Sequence, residues 1–153
     1  MPTPEQRLAE LGLEVPDVVA PLASYVPAVR SGSYVYTSGQ VPMVKGQMPV
    51  TGKVGAEVDP ETAKECAQVC ALNALAAVSS ITGDLSAVIR VVKVVGYVAS
   101  DPSFTGQPGV VNGASDLLGQ IFGDAGVHAR SAVGVVALPL DAPVELELIV
   151  EVG

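Results

Sequence analysis

Two cysteines are the side chains of this 153-residue chain whose type and spacing first suggest chemistry. Cys66 and Cys70 stand four positions apart in a helical pattern, which places both thiols on one face of a helix. A tetrahedral metal site needs further ligands, and no neighbouring His or Cys supplies them. We therefore predict two reduced thiols that pack as small apolar side chains in a core, and no metal site.

Glycine-rich motifs offer no alternative. The run from Gly106 to Gly113 has neither the spacing nor the context of a phosphate loop or a dinucleotide fingerprint, and no nucleophile elbow occurs elsewhere. Isolated polar side chains remain as candidates: Arg130, His128 and several glutamates near the C-terminus, and Tyr25, Ser38 and Asn112 in otherwise apolar segments.

These candidates also have ordinary structural explanations. An arginine at the start of a strand and a glutamate on an amphipathic strand, such as Arg130 and Glu145, are most often solvated surface charges. His128 follows a glycine-rich turn, where we expect an exposed turn residue. The remaining three fit as strand, turn and helix-cap residues. Residue type alone therefore leaves both interpretations open.

Three helices are predicted from capping residues and apolar periodicity. The first begins behind the N-cap Thr3, with a capping box to Gln6, and we expect it to be an appendage. The second and longest runs from Asp59 to about Thr82 and is rich in small residues that let it lie close on a sheet. The third spans Val110 to Phe122.

Five strands are predicted from β-branched and alternating sequence. Tyr25 to Arg30 and Ser33 to Ser38 form a hairpin, and Val88 to Val98 is expected to be the centre of the sheet, buried on both faces. Ala129 to Leu138 and Val144 to Val152 are predicted to pair around a proline-rich turn. The resulting order, β-β-α-β-α-β-β, indicates an α+β domain whose helices pack on one face of a mixed sheet. The other face is left to strands alone.

The composition points to a buried subunit interface and away from nucleic acid. Only 16% of the residues are charged and the mean hydropathy is +0.46, whereas about a quarter of a soluble domain is usually charged. The net charge of -8 would repel phosphate backbones and acidic lipids. The N-terminal stretch carries charges where a signal peptide is apolar, and no apolar run reaches the ~20 residues of a membrane span. We therefore expect a cytoplasmic location.

Three segments of the sequence resemble one known family. They are Tyr34 to Pro42 (YVYTSGQVP), the helix around Leu72-Asn73-Ala74, and His128 to Glu147 (HARSAVGVVALPLDAPVELE). They are similar to the YjgF/RidA family of reactive-intermediate (enamine/imine) deaminases, also labelled endoribonuclease L-PSP. The similarity runs from about Tyr25 to the C-terminus.

The resemblance implies an architecture. The fold would be α+β, with a chorismate-mutase-like mixed β-sheet and two main helices packed on one face, and it would assemble as a homotrimer with ligand clefts between subunits. Residues 25–153 would form the single family domain. Residues 1–24 would be an N-terminal extension that carries the short first helix.

The resemblance also implies roles for the candidates. The family's arginine that binds the substrate carboxylate falls on Arg130, and its acid that positions the hydrolytic water falls on Glu145. Many members have a cysteine two positions after the arginine, where this chain has Ala132, whose backbone N–H remains available to the carboxylate. Further cleft-lining positions of the family match Tyr25, Ser38 and Asn112. No metal or organic cofactor is implied.

The implied activity is hydrolysis of 2-enamino and 2-imino acids to 2-keto acids and ammonia. The alternative is a non-catalytic trimer that binds small carboxylate metabolites, and RNA cleavage, suggested by the family's older label, conflicts with the net charge of -8. Two features depart from the family's pattern. The loop from Ser103 to Val110 is long and rich in Gly and Pro, which bears on substrate scope, and the atypical N-terminal extension indicates a subgroup of the family.

The predicted strand pairing implies that one chain cannot complete the site. If the last two strands pair around their turn, Glu145 lies opposite about Ala137 and Arg130 opposite about Val152, roughly 20 Å apart at ~3.3 Å per residue. We therefore predict that each cleft combines Arg130 of one chain with Glu145 of its neighbour.

Overall fold

The order of elements follows the predicted pattern. The computed structural model describes residues 1–21 and 23–153. Its helices and strands are α1 (Pro4–Glu10), β1 (Ala28–Ser31), β2 (Tyr34–Thr37), α2 (Pro60–Thr82), β3 (Val88–Ala99), α3 (Gln107–Phe122), β4 (Ala129–Val135) and β5 (Val144–Val152). The protein is thus a mixed α+β fold with one five-stranded sheet. The third helix begins three residues earlier than its apolar pattern indicates, at Gln107.

The long helix α2 is fixed at both ends by local chemistry. The Asp59 carboxylate accepts a hydrogen bond from the backbone N–H of Thr62 at 2.7 Å, and Gly83, at φ 87°, ends the helix in a conformation that favours glycine. By length and hydropathy α2 also resembles a membrane span, but 56% of its most apolar window is buried within the fold. It is the core helix, and Cys66 and Cys70 lie buried on it as predicted.

Helix α3 packs directly on α2 because a glycine permits close approach. A Cβ on Gly113 would overlap the backbone oxygen of Lys64, a clash with the main chain that no side-chain movement could relieve. Both helices cover the same face of the sheet. On that face β5 buries five side chains without a break: Val144, Leu146, Leu148, Val150 and Val152.

The strand order corrects two predictions. The sheet runs β1-β2-β5-β3-β4, with β3 and β4 parallel and the other pairs antiparallel. The predicted hairpin of β4 with β5 is therefore wrong, and β5 rather than β3 is the central strand. Helix α3 connects β3 to β4 as a parallel crossover, which places β4 at the sheet edge beside β3. The chain then returns across β3, so that β5 pairs on the opposite side of that strand.

Strand β3 is buried on one face only, contrary to the prediction. Val91, Val94 and Val98 are fully buried beneath the helices, whereas Val95 and Tyr97 lie half-exposed on the opposite face. That opposite face carries exposed apolar side chains, among them Val29, Tyr34, Tyr36 and Val133, each 41–53% exposed. No helix covers it within residues 1–21 and 23–153. The expectation of one sheet face made of strands alone is confirmed, and we call it the open face.

Helix α1 is part of the packed domain rather than a loose appendage. The predicted capping box between Thr3 and Gln6 is present. Leu8 is completely buried, Arg7 donates to the backbone oxygen of Ile121 at 3.1 Å, and Glu5 accepts from the backbone N–H of Leu85 at 2.7 Å. These contacts anchor the start of the N-terminal extension to the end of α3 and to the turn before β3. The domain boundary after residue 24 stays a prediction.

Candidate functional site

Arg130 lies on the edge strand β4 and points to the helix side of the sheet, because it pairs with the buried Val94. Its Nη1 donates to Asn112 Oδ1 at 2.7 Å and to Ser115 Oγ at 3.2 Å, and its Nη2 donates to the backbone oxygen of Pro108 at 3.4 Å. These three acceptors lie along one face of α3, since residues four and three apart are neighbours on a helix. Helix α3 therefore holds the Arg130 guanidinium through three acceptors spaced along the helix.

The partners of Arg130 leave its charge uncompensated. Amide, hydroxyl and carbonyl oxygens are all neutral, and the one ion pair found in the described part of the chain joins Lys53 to Asp141 at 3.4 Å. The side chain is also half-exposed. A half-exposed guanidinium held only by neutral acceptors can still bind a carboxylate through paired hydrogen bonds.

Glu145 lies on the open face of β5, opposite Tyr97, and faces a small cavity of about 60 Å³. Tyr25, Gly39 and Gln40 line this cavity, together with Pro139 and the N-terminal segment 19–21. Burial raises the pKa of the Glu145 carboxyl, and the nearby charge of Glu147 raises it further. The cavity has room for a few water molecules beside a carboxylate whose charged form is disfavoured.

Glu145 differs from its neighbour Glu147 in its hydrogen bonding. The hydroxyl of Tyr97 donates to Glu147 Oε1 at 2.6 Å, and this bond is the main reason that the pKa of Tyr97 rises to about 12. The Glu145 carboxylate accepts no hydrogen bond from any of the described residues in the structure. Of these two carboxylates, Glu145 is thus the one free to orient a water molecule.

Gly39 is a residue of this cavity that sequence reasoning missed. A Cβ at position 39 would lie 2.5 Å from Glu145 Oε2, so the absence of a side chain there creates the space that the carboxylate occupies. The next residue, Gln40, exchanges two backbone hydrogen bonds with Leu146, at 2.8 and 2.9 Å. This bridge fixes the Gly39 backbone beside β5 and thereby beside Glu145.

Ser38 and Asn73 position the walls of the cavity. The Ser38 hydroxyl donates to the backbone oxygen of Val26 at 2.5 Å, which ties down the segment that follows Tyr25. The Asn73 side chain, from α2, donates to the backbone oxygens of Val41 and Met43, both at 3.0 Å. Ser38 thus does not line the cavity but stabilises the segment that carries Tyr25. Tyr25 itself lines the cavity from a position just before β1 rather than from within a strand.

Arg130 and Glu145 do not meet within one chain. Arg130 pairs with Val94 and Glu145 with Tyr97, so the predicted partners Val152 and Ala137 are wrong. Three positions along β3 and two strand spacings separate their Cα atoms by roughly 14 Å. The two side chains also point to opposite faces of the sheet. The sequence analysis also predicted that Arg130 and Glu145 lie apart within one chain, but it did so from the incorrect pairing of β4 with β5.

The prediction that His128 is an exposed turn residue is wrong. His128 is half-buried rather than exposed, with Nε2 2.8 Å from Ser115 Oγ and Nδ1 2.6 Å from the backbone oxygen of Gly126. A sequence signal existed: His128 precedes Arg130 by two positions, and Ser115 follows Asn112 by three on α3. The two pairs are brought together only by the packing of α3 against β4.

Comparison with known proteins gives the family. The model of the "YjgF/chorismate mutase-like, putative endoribonuclease" family matches residues 5–152. Protein TCP17 from Trypanosoma cruzi is 42% identical over 96% of this chain and 92% of its own length. The chain belongs to the YjgF/RidA family.

Two solved structures of YjgF/RidA-like fold extend this result. A protein of unknown function from Agrobacterium tumefaciens is 47% identical, with a TM-score of 0.91 over 99% of this chain and 94% of its own. A Shewanella oneidensis protein that shares the endoribonuclease description is 34% identical, with a TM-score of 0.96 over 99% of this chain and 100% of its own. The predicted family and the α+β, chorismate-mutase-like fold are confirmed.

The site residues that the family resemblance implies therefore divide into two groups. Arg130 and Asn112 are in direct contact at the β4 edge, and Ala132 lies two positions further along β4, half-buried and paired with Gly96. Tyr25 and Glu145 line the cavity at the open face, with Ser38 behind them. We name these groups the arginine cluster and the acid cavity. Among the described residues, no three His, Cys, Asp or Glu side chains come together as a metal site.

Proposed function

We propose that the protein hydrolyses 2-enamino and 2-imino acids to 2-keto acids and ammonia, in clefts between the subunits of a homotrimer. The observation that carries this proposal is the uncompensated Arg130, whose guanidinium has only neutral acceptors and therefore suits a carboxylate. The substrate carboxylate would take the exposed N–H groups of Arg130. Ala132 lies two positions after Arg130 on the edge strand β4, and its backbone N–H would lie close to this carboxylate.

The acid cavity supplies the proton chemistry of the proposal. An enamine first tautomerises to its imine, and water then adds to the C=N carbon to give a carbinolamine. Glu145 accepts one proton of the attacking water and returns it to the nitrogen as the carbinolamine forms. It then transfers the proton of the carbinolamine hydroxyl to the same nitrogen, so that the C–N bond breaks and ammonia leaves while the C=O bond forms. A carboxyl with a raised pKa suits this dual role, because its acid and base forms lie closer in free energy at neutral pH.

A second subunit completes the cleft in this proposal. The open face exposes the apolar side chains Val29, Tyr34, Tyr36 and Val133, which a neighbouring subunit would cover. A chain with 16% charged residues and such a face is suited to self-association. Closed cyclic packing of these faces would bring the acid cavity of one chain towards the β4 edge of the next.

A second candidate function is carboxylate binding without catalysis. It is favoured by one observation: Arg130 and Glu145 lie on opposite faces of the sheet within one chain. If assembly leaves them apart, Arg130 holds a carboxylate metabolite and no water is activated. RNA cleavage has no comparable support, because the chain carries 16 acidic against 8 basic residues.

The test is to generate 2-aminoacrylate in situ and to measure pyruvate release with the wild-type protein, with Arg130→Ala and without protein. We expect the wild type to accelerate release and Arg130→Ala to act like the buffer control, while native mass spectrometry shows the same oligomer for both. Arg30→Ala is the matched control, since Arg30 is an exposed arginine of β1 remote from both groups.

The two candidate functions separate in this experiment. Wild-type protein that binds pyruvate through Arg130 but releases none from 2-aminoacrylate would support the binder and overturn the deaminase. Full activity in Arg130→Ala would contradict both.

A further inference from the structure

We propose that Ser115 and His128 are positioning residues that fix the Arg130 guanidinium through a directed hydrogen-bond chain. The inference rests on the proposed role of Arg130 as the carboxylate-binding group. It assigns a function to two side chains that neither bind substrate in the proposal nor belong to the acid cavity. These hydrogen bonds link three elements of the fold: β4, α3 and the turn that precedes β4.

The donor and acceptor roles along these hydrogen bonds follow from the bond to Gly126. The backbone oxygen of Gly126 can only accept, so His128 Nδ1, at 2.6 Å, is the donor of this hydrogen bond. In this Nδ1–H tautomer, Nε2 has a lone pair that accepts a hydrogen bond from the Ser115 hydroxyl at 2.8 Å. The Ser115 oxygen is left with lone pairs directed at Arg130 Nη1, at 3.2 Å. Every donor in this series of hydrogen bonds thus has an acceptor.

This arrangement matters because Arg130 lacks a charged partner. A carboxylate would lock a guanidinium in place but would also neutralise it. Ser115 and Asn112 hold the same Nη1 with neutral oxygens, which fixes the geometry while the charge stays available. A hydroxyl left to rotate would make a weaker acceptor. By accepting the hydroxyl hydrogen bond, His128 keeps the lone pairs of the Ser115 oxygen directed at Arg130.

The surroundings of His128 support a positioning role rather than a purely structural one. Ser115 and His128 are both only half-buried, so neither is needed to fill the apolar core. His128 also lines an open depression of about 500 Å³, together with Tyr34 and Glu151. Replacing either side chain should therefore disturb the hydrogen-bond chain without opening a cavity in the fold.

The test uses pairs of variants that keep or remove one atom. The Gln amide oxygen can take the place of His Nε2, whereas the shorter Asn side chain mimics Nδ1 and does not reach Ser115, so His128→Gln is compared with His128→Asn. Ser115→Thr keeps the hydroxyl and Ser115→Ala removes it. Gln120→Ala is the control, since Gln120 is exposed on α3 in the groove towards α2.

Two readouts are measured on the whole 153-residue chain. Guanidinium ¹⁵N–¹H NMR signals of ligand-free protein, with Arg130 assigned by its loss in Arg130→Ala, report the fixing of the side chain. We expect that signal to broaden or shift in Ser115→Ala and His128→Asn only. In pyruvate release from 2-aminoacrylate, the same two variants should raise KM by about 3- to 10-fold, with kcat within about twofold of the wild type.

The outcomes separate this inference from the proposed function. An unchanged Arg130 signal in Ser115→Ala, or a His128→Gln variant as impaired as His128→Asn, would overturn the positioning role. If the wild type neither turns over 2-aminoacrylate nor binds pyruvate, while the Arg130 signal follows the variants as described, the proposed function fails and the positioning role stands.

Discussion

Arg130 and Glu145 lie on opposite faces of one sheet, with strand β3 between their strands. Arg130 faces α3 and is held by three of its oxygens, whereas Glu145 faces a small cavity at the open face. No rotation of either side chain closes a gap of roughly 14 Å between Cα atoms through a packed sheet. If both groups act on one small substrate, they come from different chains.

Mixed oligomers test this consequence. Arg130→Ala and Glu145→Gln are each expected to lack activity, because each removes one half of every cleft. In a homotrimer with random 1:1 exchange, about a quarter of the clefts combine an intact Arg130 with an intact Glu145, so about a quarter of wild-type activity should return. Native mass spectrometry verifies the exchange. Mixed trimers that stay inactive would remove Glu145 from the reaction.

Glu145→Gln should stabilise the fold at neutral pH. The raised pKa means that the ionised carboxylate is less favourable in the folded than in the unfolded chain. Stability from this group is therefore fully present below its unfolded pKa, about 4.3, and is lost as pH rises through the higher folded pKa. We expect the variant's Tm to exceed that of the wild type by no more than about 3 °C at pH 7 to 8, with the difference vanishing near pH 4.

Glu151→Gln provides the comparison for the thermal measurement, since Glu151 lies on the same face of β5 further from the cavity. A Tm difference between Glu145→Gln and wild type that grows towards acidic pH would contradict a raised pKa for Glu145 in the folded protein.

Gly39→Ala should lower kcat without unfolding the protein. The new methyl group would lie 2.5 Å from Glu145 Oε2, and the flexible end of that side chain can move away at little cost in stability. The carboxylate would then leave its position towards the cavity, and a misplaced general base typically costs about 10²-fold or more in rate. Gly119→Ala is the control, because nothing lies within 4 Å of a Cβ at that position of α3. Wild-type kcat in Gly39→Ala would remove Glu145 from its assigned role.

Asn112→Asp tests whether the free charge of Arg130 is the binding determinant. The aspartate would place a carboxylate about 2.7 Å from Nη1 and form the ion pair that the native site avoids. We expect pyruvate affinity to fall by about tenfold or more, and further than in Asn112→Ala. Asp116→Asn, which changes an exposed charge elsewhere on α3, should leave affinity unchanged. Equal affinity in wild type and Asn112→Asp, measured by calorimetry, would show that charge compensation is irrelevant.

Val19 should control the size of substrate that the acid cavity accepts. Residues 19–21 line this cavity of about 60 Å³. Of these three residues, Val19 is the half-buried one. Val19→Gly is expected to raise kcat/KM for a 2-enamino acid with a longer side chain by about tenfold relative to 2-aminoacrylate, and Val19→Phe should lower it. Val18→Gly, at a position 40% exposed outside the lining, is the control. An unchanged preference in all three variants would place the substrate side chain elsewhere.

Part of the molecule could be predicted from short stretches of sequence because the interactions that decide it are local. The Thr3 and Asp59 caps, the glycine end of α2 and the alternation of β5 depend on neighbours a few residues apart, and all are present in the structure. Resemblance over His128 to Glu147 placed Arg130 and Glu145 among the candidates before any contact was known.

Tertiary structure alone decided how those residues are arranged. The pairing of β4 with β3 rather than with β5 comes from the helical crossover, a long-range choice that alternation patterns do not encode. The space for the Glu145 carboxylate depends on Gly39, more than a hundred residues away, and the partners of Arg130 come from a helix face that packing brings to the sheet edge. Sequence spacing specifies which face of an element a side chain occupies, but only packing specifies which faces meet.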